Sequence, residues 1–368
     1  MKTLLLGLLC FGLTARAADP VTLPIGAAAP DFNLPGVDGK NWKLADFASA
    51  DVLVVVFTCN HCPTAQAYED RIIQLVNDYK AKNVALVAIS PNDPKAISLS
   101  ELDYTDLSDS FEEMKLRAAK KKYNFPYLYD GDNQLVAKAY GPVATPHVFI
   151  FDKDRKLRFQ GRIDNMEKPS KTPTVRDTRN ALDELLAGKP VSTPTTKVFG
   201  CSVKWAAKED WIVKAKESWA KEPVNLEMIS ADQVKALLKN DGKKLRLINV
   251  WATWCGPCVQ EYPDFITLKR MYKSRPFEFI SISADDPAKK EKVLDFLREQ
   301  QSSVSNYLFN TDDKYQLIEA IDPNWQGALP YTILVEPGGK IVYAKPGPID
   351  FAEMKTLIVE HPMIGRYF

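Results

Sequence analysis

The sequence predicts an α/β chain of two similar domains, each with a mixed β-sheet flanked by helices. An apolar run of strand type, residues 245–250, leads into Cys255-Gly-Pro-Cys258 and then a helical pattern. The same order occurs upstream, where residues 52–58 lead into Cys59-Asn-His-Cys62. Each half then closes with a proline, a strand, a turn, a strand and a helix. A length of 368 residues suits two domains of ordinary size.

The remaining elements follow from apolar periodicity and turn residues. Asp38-Gly39 lies between apolar positions, which is typical of a hairpin. In the first half we expect further strands at 84–90, 147–151 and 156–163, and helices over 108–122 and 174–187. In the second half Ser230-Ala-Asp-Gln233 is a capping box that opens a helix. There we also expect strands at 277–283, 331–335 and 341–344, and helices over 288–301, 315–321 and 351–360.

Two boundaries divide the chain. Residues 1–17 have the features of a secretory signal, namely Lys2, a short apolar core and the cleavage site Ala15-Arg-Ala17. Residues 189–203 are rich in Pro, Ser and Thr, and a helical stretch from Trp205 to about Lys221 follows, whose tryptophans we expect to pack on a core. We therefore predict a first domain over 18–195, a linker over 196–223 and a second domain over 224–368.

Charge and hydropathy favour neither a nucleic-acid-binding protein nor a membrane-spanning one. The formal net charge is +1 and no run of like charge stands out, so nothing favours nucleic-acid binding. No later apolar stretch reaches 18 residues, so we expect no membrane span and an exported chain, periplasmic if bacterial. Removing Cys10 with the signal leaves five of the six cysteines, four of them in the two Cys-x-x-Cys pairs. Export makes disulfide chemistry available to them.

A Cys-x-x-Cys pair at the start of a helix has a physical use. The helix N-terminus offers unpaired N–H groups and a partial positive charge, which stabilise a thiolate. We expect Cys59 and Cys255 to be the attacking thiolates, with Cys62 and Cys258 closing the disulfides. A zinc ribbon would need a second pair some 15–20 residues away, and neither pair has one. We therefore predict catalytic dithiols, with no metal and no cofactor beyond the disulfides; a purely structural disulfide is the alternative.

The second domain resembles the TlpA/ResA-type thiol-disulfide oxidoreductases of the thioredoxin superfamily. The matching residues run from Asn249 to Pro263, with Trp254 beside the dithiol, and include Leu329-Pro330. The resemblance implies a thioredoxin-like fold and a cis peptide before Pro330, whose backbone pairs with a substrate strand. It also implies that Glu261 tunes the thiols, because Asn249 replaces the buried aspartate of thioredoxin itself.

The first domain resembles AhpC/TSA-type redoxins that carry a Thr-Cys-Asn-His-Cys-Pro motif. The match includes Thr58 to Pro63, Thr145-Pro146 and Gly200 to Trp205. True peroxiredoxins have a proline in the loop before their reactive cysteine, and residues 54–58 contain none. This difference weakens the alternative of a peroxidase-like antioxidant that uses Cys59.

Three residues near the first pair leave alternatives open. His61 is either a solvated loop residue or a group that stabilises the Cys59 thiolate. His147 follows the proline expected to be cis and is either structural or catalytic. Cys201 is either an inert thiol or a candidate third redox thiol that reaches Cys59.

We predict an exported thiol-disulfide oxidoreductase whose partners are protein thiols and disulfides and an upstream reductase. A histidine between paired cysteines is typical of oxidising relatives, and Gly-Pro of reducing ones. We therefore expect electrons to run from Cys255/Cys258 toward Cys59/Cys62. A redoxin-fold binding module without turnover is the alternative from another class.

Overall fold

The computed structural model describes residues 20–367, so the predicted signal over 1–17 lies outside the described residues. Within them the predicted class is confirmed, because two mixed sheets each lie between helices. No helix of this described part is both long and apolar enough to cross a bilayer.

The first domain is built on a five-stranded sheet. Its strands have the order β5-β4-β3-β7-β8, with β3, β4 and β5 parallel and β7 and β8 antiparallel. The predicted hairpin at Asp38-Gly39 is confirmed as β1 and β2. The elements of this part are β1 (Asn33–Pro35), β2 (Asn41–Lys43), β3 (Val52–Phe57), α1 (Pro63–Tyr79), β4 (Val84–Ser90), α2 (Phe111–Lys121), β5 (Tyr127–Tyr129), α3 (Leu135–Tyr140), β6 (Ala144–Thr145), β7 (His147–Phe151), β8 (Leu157–Gly161), α4 (Asp177–Leu186) and β9 (Cys201–Ser202).

A helix and the second domain follow. The sheet of this domain has six strands in the order β10-β13-β12-β11-β14-β15, and the antiparallel pairs are β11 with β14 and β14 with β15. The capping box predicted at Ser230 is present. The elements are α5 (Glu209–Ala220), β10 (Glu227–Ile229), α6 (Ala231–Lys239), β11 (Leu245–Trp251), α7 (Gly256–Met271), β12 (Phe277–Ser283), α8 (Lys290–Glu299), β13 (Ser305–Phe309), α9 (Lys314–Ile321), β14 (Tyr331–Val335), β15 (Ile341–Pro346) and α10 (Phe351–Glu360).

The strand before each cysteine pair lies inside its sheet and is covered on both faces. All six residues of β3 are buried; Leu53 and Val55 point into one core and Val54 and Val56 into the other. Such a strand needs apolar residues at every position, which explains the unbroken apolar runs in the sequence. The two-sided packing fixes where each strand ends and therefore where each cysteine pair begins.

The linker helix is shorter than predicted, since α5 begins at Glu209 and not at Trp205. Trp205 is buried in a core of the first domain, and the ring of Trp219 lies 4.5 Å from the guanidinium of Arg270. Trp211 is 68% exposed. The expectation that all the tryptophans pack on a core is therefore wrong for Trp211.

Candidate active sites of the two domains

The second dithiol lies at the N-terminus of α7. Cys255 is the N-cap residue of this helix, and Cys258 lies on its first turn. The two sulfur atoms are joined in a disulfide, and the Cys258 N–H points at Cys255 Sγ, 3.3 Å away. Cys255 is 7% exposed and Cys258 is fully buried. The structure therefore places the leading sulfur at the surface end of the pair, where an attacking thiolate would gain from the helix N–H groups.

A buried aspartate that the sequence analysis did not single out holds the turn before Cys255. Asp285 accepts hydrogen bonds from the Thr253 N–H (2.8 Å) and hydroxyl (2.7 Å), and from the Ser283 hydroxyl (2.9 Å). Asp285 follows β12, which is parallel to β11, so the carboxyl ends of both strands lie at the same edge of the sheet. A polar residue directly after a strand parallel to β11 is the sequence feature from which Asp285 could have been predicted.

Glu261 lies one turn beyond Cys258 on the same helix and is 6% exposed. Burial raises the pKa of its carboxyl to about 7, although the Ile349 N–H (2.9 Å) and the Asn249 amide (3.4 Å) both donate to it. Asn249 also donates to the Thr332 hydroxyl at 3.1 Å. The group can therefore gain and lose a proton near neutral pH, as proton transfer to or from a thiol requires.

The surface beside the second dithiol carries the other features that the resemblance implied. The Leu329-Pro330 peptide bond is cis, and β14 begins immediately after it. Trp254 is 61% exposed. Leu329 is half-buried, and within residues 20–367 no strand pairs with it. This backbone edge is therefore free to receive a strand from another chain.

The first dithiol is reduced and more deeply buried than the second. Cys59 is 2% exposed and Cys62 is fully buried, and both are free thiols. Cys59 Sγ lies 3.1 Å from the Thr145 hydroxyl, and Cys62 Sγ lies 3.4 Å from the Thr145 carbonyl oxygen. The Thr145-Pro146 bond is cis, as the one before Pro330 is. The leading sulfur of this half is therefore not accessible to a protein substrate, contrary to the expectation from the sequence.

In this pair, the surrounding contacts favour the ionised form of Cys62 more than that of Cys59. Burial raises the pKa of Cys59 well above its ordinary value. Burial opposes ionisation of Cys62 too, but hydrogen bonds from the Cys201 and Cys59 thiols and the charge of His61 hold its pKa well below the ordinary value. Cys62 is the N-cap residue of α1, and the backbone N–H of Cys201 donates to its sulfur at 3.3 Å. These contacts favour Cys62 as the stabilised thiolate, whereas the sequence analysis predicted Cys59, because the sulfur at the N-terminus of α1 is the second one.

His61 is not a solvated loop residue, since it is 2% exposed. Its Nδ1 lies 2.7 Å from Asp109, which also accepts the backbone N–H groups of Asn60 (2.8 Å) and His61 (3.0 Å) and an N–H of the Asn92 amide (2.6 Å). Burial opposes protonation, but the Asp109 carboxylate outweighs it and raises the pKa of His61. The sequence analysis missed Asp109, because only the folded loop brings it to the dithiol.

Cys201 lies against Cys62, since its backbone N–H donates to Cys62 Sγ at 3.3 Å. Of the two alternatives left open for Cys201, the redox one places it next to Cys59. Cys201 lies on β9, which pairs antiparallel with β6, so that Thr145 faces Cys201. Cys201 is half-buried and lines a cavity of about 390 Å³, together with His61, Glu101 and Lys204. Lys204 forms an ion pair with Glu101 at 2.5 Å. The three thiols of the first domain therefore form one cluster with Cys62 at its centre.

His147 has a structural environment. Its Nδ1 accepts the Val143 N–H at 3.3 Å, and its Nε2 lies 2.8 Å from the Gln160 amide oxygen. Burial lowers its pKa to about 4, so the ring is neutral at physiological pH. Of the two readings left open for His147, these contacts favour the structural one.

One group of potential metal ligands exists among the described residues. Atoms of Cys59, His61 and Asp109 lie within 4.8 Å of one another. The carboxylate of Asp109 is already occupied by His61, two backbone N–H groups and Asn92. The absence of a metal requirement stays a prediction.

Comparison with known proteins agrees with the two-domain organisation. Residues 25–160 match the AhpC/TSA family, and residues 223–358 match the Redoxin family. The thiol-disulfide oxidoreductase ResA of Bacillus cereus is 29% identical over 136 residues, which are 35% of this chain and 70% of the relative. The thiol:disulfide interchange protein CycY of Rhizobium leguminosarum bv. viciae is 30% identical over 123 residues, 32% of this chain and 57% of the relative.

A solved structure is also similar. A hypothetical protein of Sinorhizobium meliloti 1021 is 34% identical, with a TM-score of 0.46, over 51% of this chain and 98% of that one.

The class of protein is that of oxidoreductases that work through cysteine thiols. It is defined by the fold, by the dithiol at the start of a helix and by the curated relatives. The chain belongs to the thioredoxin superfamily, as an AhpC/TSA-type domain followed by a redoxin-type domain. The resemblance inferred from the motifs is confirmed.

Proposed function

We propose that this chain is an exported thiol-disulfide oxidoreductase that exchanges disulfides with protein substrates, with Cys255 as its leading thiol. The disulfide between Cys255 and Cys258 at the start of α7 carries this proposal. It is supported by the free backbone edge at Leu329, which lies next to a cis proline. The dithiols need no added cofactor, since the sulfur atoms themselves carry the electrons.

In the reducing direction, the Cys255 thiolate attacks one sulfur of a substrate disulfide and forms a mixed disulfide. One substrate thiolate leaves in this step. Cys258 then attacks Cys255 Sγ, which releases the second substrate thiol and restores the Cys255–Cys258 disulfide. Glu261, one turn along α7 from Cys258 and with a pKa of about 7, is the group that accepts the Cys258 proton. An upstream reductase closes the cycle.

The test is reduction of a model protein disulfide by the full chain, with dithiothreitol as electron source. We expect Cys255→Ser to abolish turnover and Cys258→Ser to accumulate a mixed disulfide with the substrate. Cys59→Ser is the matched control, because it removes a thiol of the other domain. Full turnover by Cys255→Ser would show that the second dithiol is not the working site.

Export is tested separately, by determining the N-terminus of the protein recovered outside the cytoplasm.

The peroxidase-like alternative depends on a reactive thiolate at Cys59. Burial and the raised pKa of Cys59 make it a poor nucleophile at neutral pH, so the geometry does not favour this function. Peroxide consumption that is lost in Cys59→Ser would favour the peroxidase alternative nevertheless.

The alternative of a binding module without turnover predicts that biological activity survives when all four paired cysteines are replaced by serine.

The direction of electron flow stays a prediction with a physical basis. A stabilised thiolate favours the reduced form of a dithiol, so its disulfide is the more oxidising one. Cys62 has such a lowered pKa, which favours flow from Cys255/Cys258 to the first domain. Glutathione titrations of two full-length variants, each with one pair replaced by serine, measure the two potentials. Equal potentials, or a more reducing first site, would contradict the proposed direction.

A further inference from the structure

The substrate edge of the first domain is occupied by the chain itself. In the second domain no described strand pairs with Leu329, the residue before the cis proline. In the first domain the equivalent edge is β6, and β9 pairs with it: Ala144 faces Ser202, and Thr145 faces Cys201. A two-residue strand from the linker thus lies where the resemblance to thioredoxins places a substrate strand. It carries a cysteine at the position next to the dithiol.

The local backbone is suited to this close approach. Gly200 has a φ of +141°, and a Cβ at this position would lie 2.1 Å from the Thr145 carbonyl oxygen. Only glycine therefore allows the segment to pack this closely. Directly after it, the Cys201 N–H donates to Cys62 Sγ at 3.3 Å, so Cys201 lies next to Cys62.

Burial decides which sulfur an outside molecule can reach. Cys59 is 2% exposed and Cys62 is fully buried. Cys201 is half-buried and faces the cavity of about 390 Å³. A sulfur that enters this cavity meets Cys201 before the other two thiols.

We propose that Cys62 and Cys201 form a redox-active disulfide in the first domain, and that Cys201 is the sulfur that exchanges with external thiols and disulfides. This deepens the proposed function, on which it rests, by assigning the exchange site of the first domain.

The reaction balances with a dithiol substrate. A substrate thiolate attacks Cys201 Sγ of the Cys62–Cys201 disulfide, the sulfur–sulfur bond breaks, and Cys62 leaves as a thiolate. An acidic thiol is the better leaving group. The second substrate thiolate then attacks the substrate sulfur of the mixed disulfide and releases Cys201, which takes up a proton. The substrate is oxidised to its disulfide, and Cys62 and Cys201 are reduced by the same two electrons.

The test uses full-length protein with Cys255 and Cys258 replaced by serine, so that only the first-domain cluster reacts. The protein is equilibrated in mixtures of reduced and oxidised glutathione, quenched with acid, alkylated and mapped by mass spectrometry. In the added variant Cys59→Ser we expect a Cys62–Cys201 cross-link, and in Cys62→Ser a glutathione adduct on Cys201. We expect Cys201→Ser to slow oxidation by oxidised glutathione about tenfold or more, and Cys59→Ser by less than about twofold.

The proposal is overturned if Cys59→Ser stays reduced throughout the series, or if only Cys59–Cys62 forms in the parent protein. Mapping of the parent keeps the test valid should Cys59→Ser fail to fold, because a Cys62–Cys201 cross-link there supports the proposal by itself. Failure of the proposed function gives a different result: wild-type protein would not reduce a model disulfide through Cys255, whatever the first-domain map shows.

Discussion

At the residue scale, the ionisation of Cys62 depends on the buried contact between His61 and Asp109. The Nδ1 atom of His61 lies 2.7 Å from Asp109, which raises the pKa of the ring, and the positive charge of the protonated ring favours the ionised form of Cys62. Without Asp109, burial alone would keep His61 neutral. His61 thus acts on Cys62 through its charge, and its backbone N–H also donates to Asp109.

We predict that His61→Gln raises the pKa of Cys62. Gln can still donate to Asp109 but carries no charge, so the thiolate loses a favourable interaction of about 1–3 kcal/mol. The ultraviolet absorbance of the thiolate, followed against pH in protein with Cys255 and Cys258 replaced by serine, measures the shift. His147→Gln is the matched control, because His147 is also buried but neutral. An unchanged titration in His61→Gln would show that the hydrogen bonds from Cys59 and Cys201 suffice.

Glu261 gives a second prediction at this scale. Its pKa is about 7 in the folded chain and about 4.3 in an unfolded one. Between these values the folded protein binds more protons, so this group lowers stability as the pH rises, with its full effect above pH 7. We expect Glu261→Gln to stabilise the protein by about 1–3 kcal/mol at pH 8 and to have no effect near pH 4.

Urea unfolding of oxidised Glu261→Gln at the two pH values checks this expectation. Glu227→Gln is the control, since Glu227 is an exposed carboxylate on β10. A difference between wild type and Glu261→Gln that is the same at both pH values would show that the substitution acts through packing and not through the proton.

Sequence reasoning identified the four paired cysteines, because their spacing and the strand before them are local features. Glu261 was singled out through the resemblance, and it lies one turn after Cys258 on α7. Sequence reasoning could not identify Asp109 or Asp285, whose contacts with the two sites cross 32 to 49 positions of the chain. It predicted Cys59 as the stabilised thiolate and could not foresee the contacts that favour Cys62, because one of them comes from the Cys201 N–H, far along the chain.

At the scale of elements, β3 and β11 were predictable and β9 was not. A strand that is buried on both faces leaves a continuous apolar run, which few other elements produce. β9 has two residues, and among residues 20–367 it pairs with β6 alone, itself two residues long. No periodicity exists at that length, so only the folded chain shows that the linker pairs with the first domain.

We predict that Gly200→Ala displaces β9, because the added methyl group would overlap the Thr145 carbonyl oxygen. Cys201 should then react with iodoacetamide about tenfold faster or more, since it loses its contact with Cys62. Gly188→Ala is the matched control: it also has a positive φ (+69°), but no atom lies within 4 Å of the added carbon. Equal reactivity of Cys201 in both variants would mean that backbone strain, and not the close approach to Thr145, explains any change.

At the scale of the whole molecule, a loop of the first domain packs on the helix that carries the second dithiol. Residues 94–106 follow β4, and Ile97 and Leu102 are buried in the same apolar cluster as Trp251 and Phe265. The loop also supplies polar contacts, including one from the Thr356 hydroxyl to Asp106 at 3.1 Å. Arg366 donates to the other oxygen of Asp106 at 3.0 Å. The two active sites are thus held in one arrangement by a segment for which the sequence analysis predicted no helix or strand.

We predict that Leu102→Asp separates the two domains. Leu102 is 8% exposed, and a carboxylate in its place would be buried without a partner, at a cost of several kcal/mol. Small-angle X-ray scattering should show a larger radius of gyration, and thermal unfolding should change from one transition to two. Leu116→Asp is the control, since Leu116 is 55% exposed on α2. If Leu102→Asp scatters as the wild type does, the polar contacts of Asp106 are sufficient to hold the domains together, and the apolar contact is not what fixes the arrangement of the two sites.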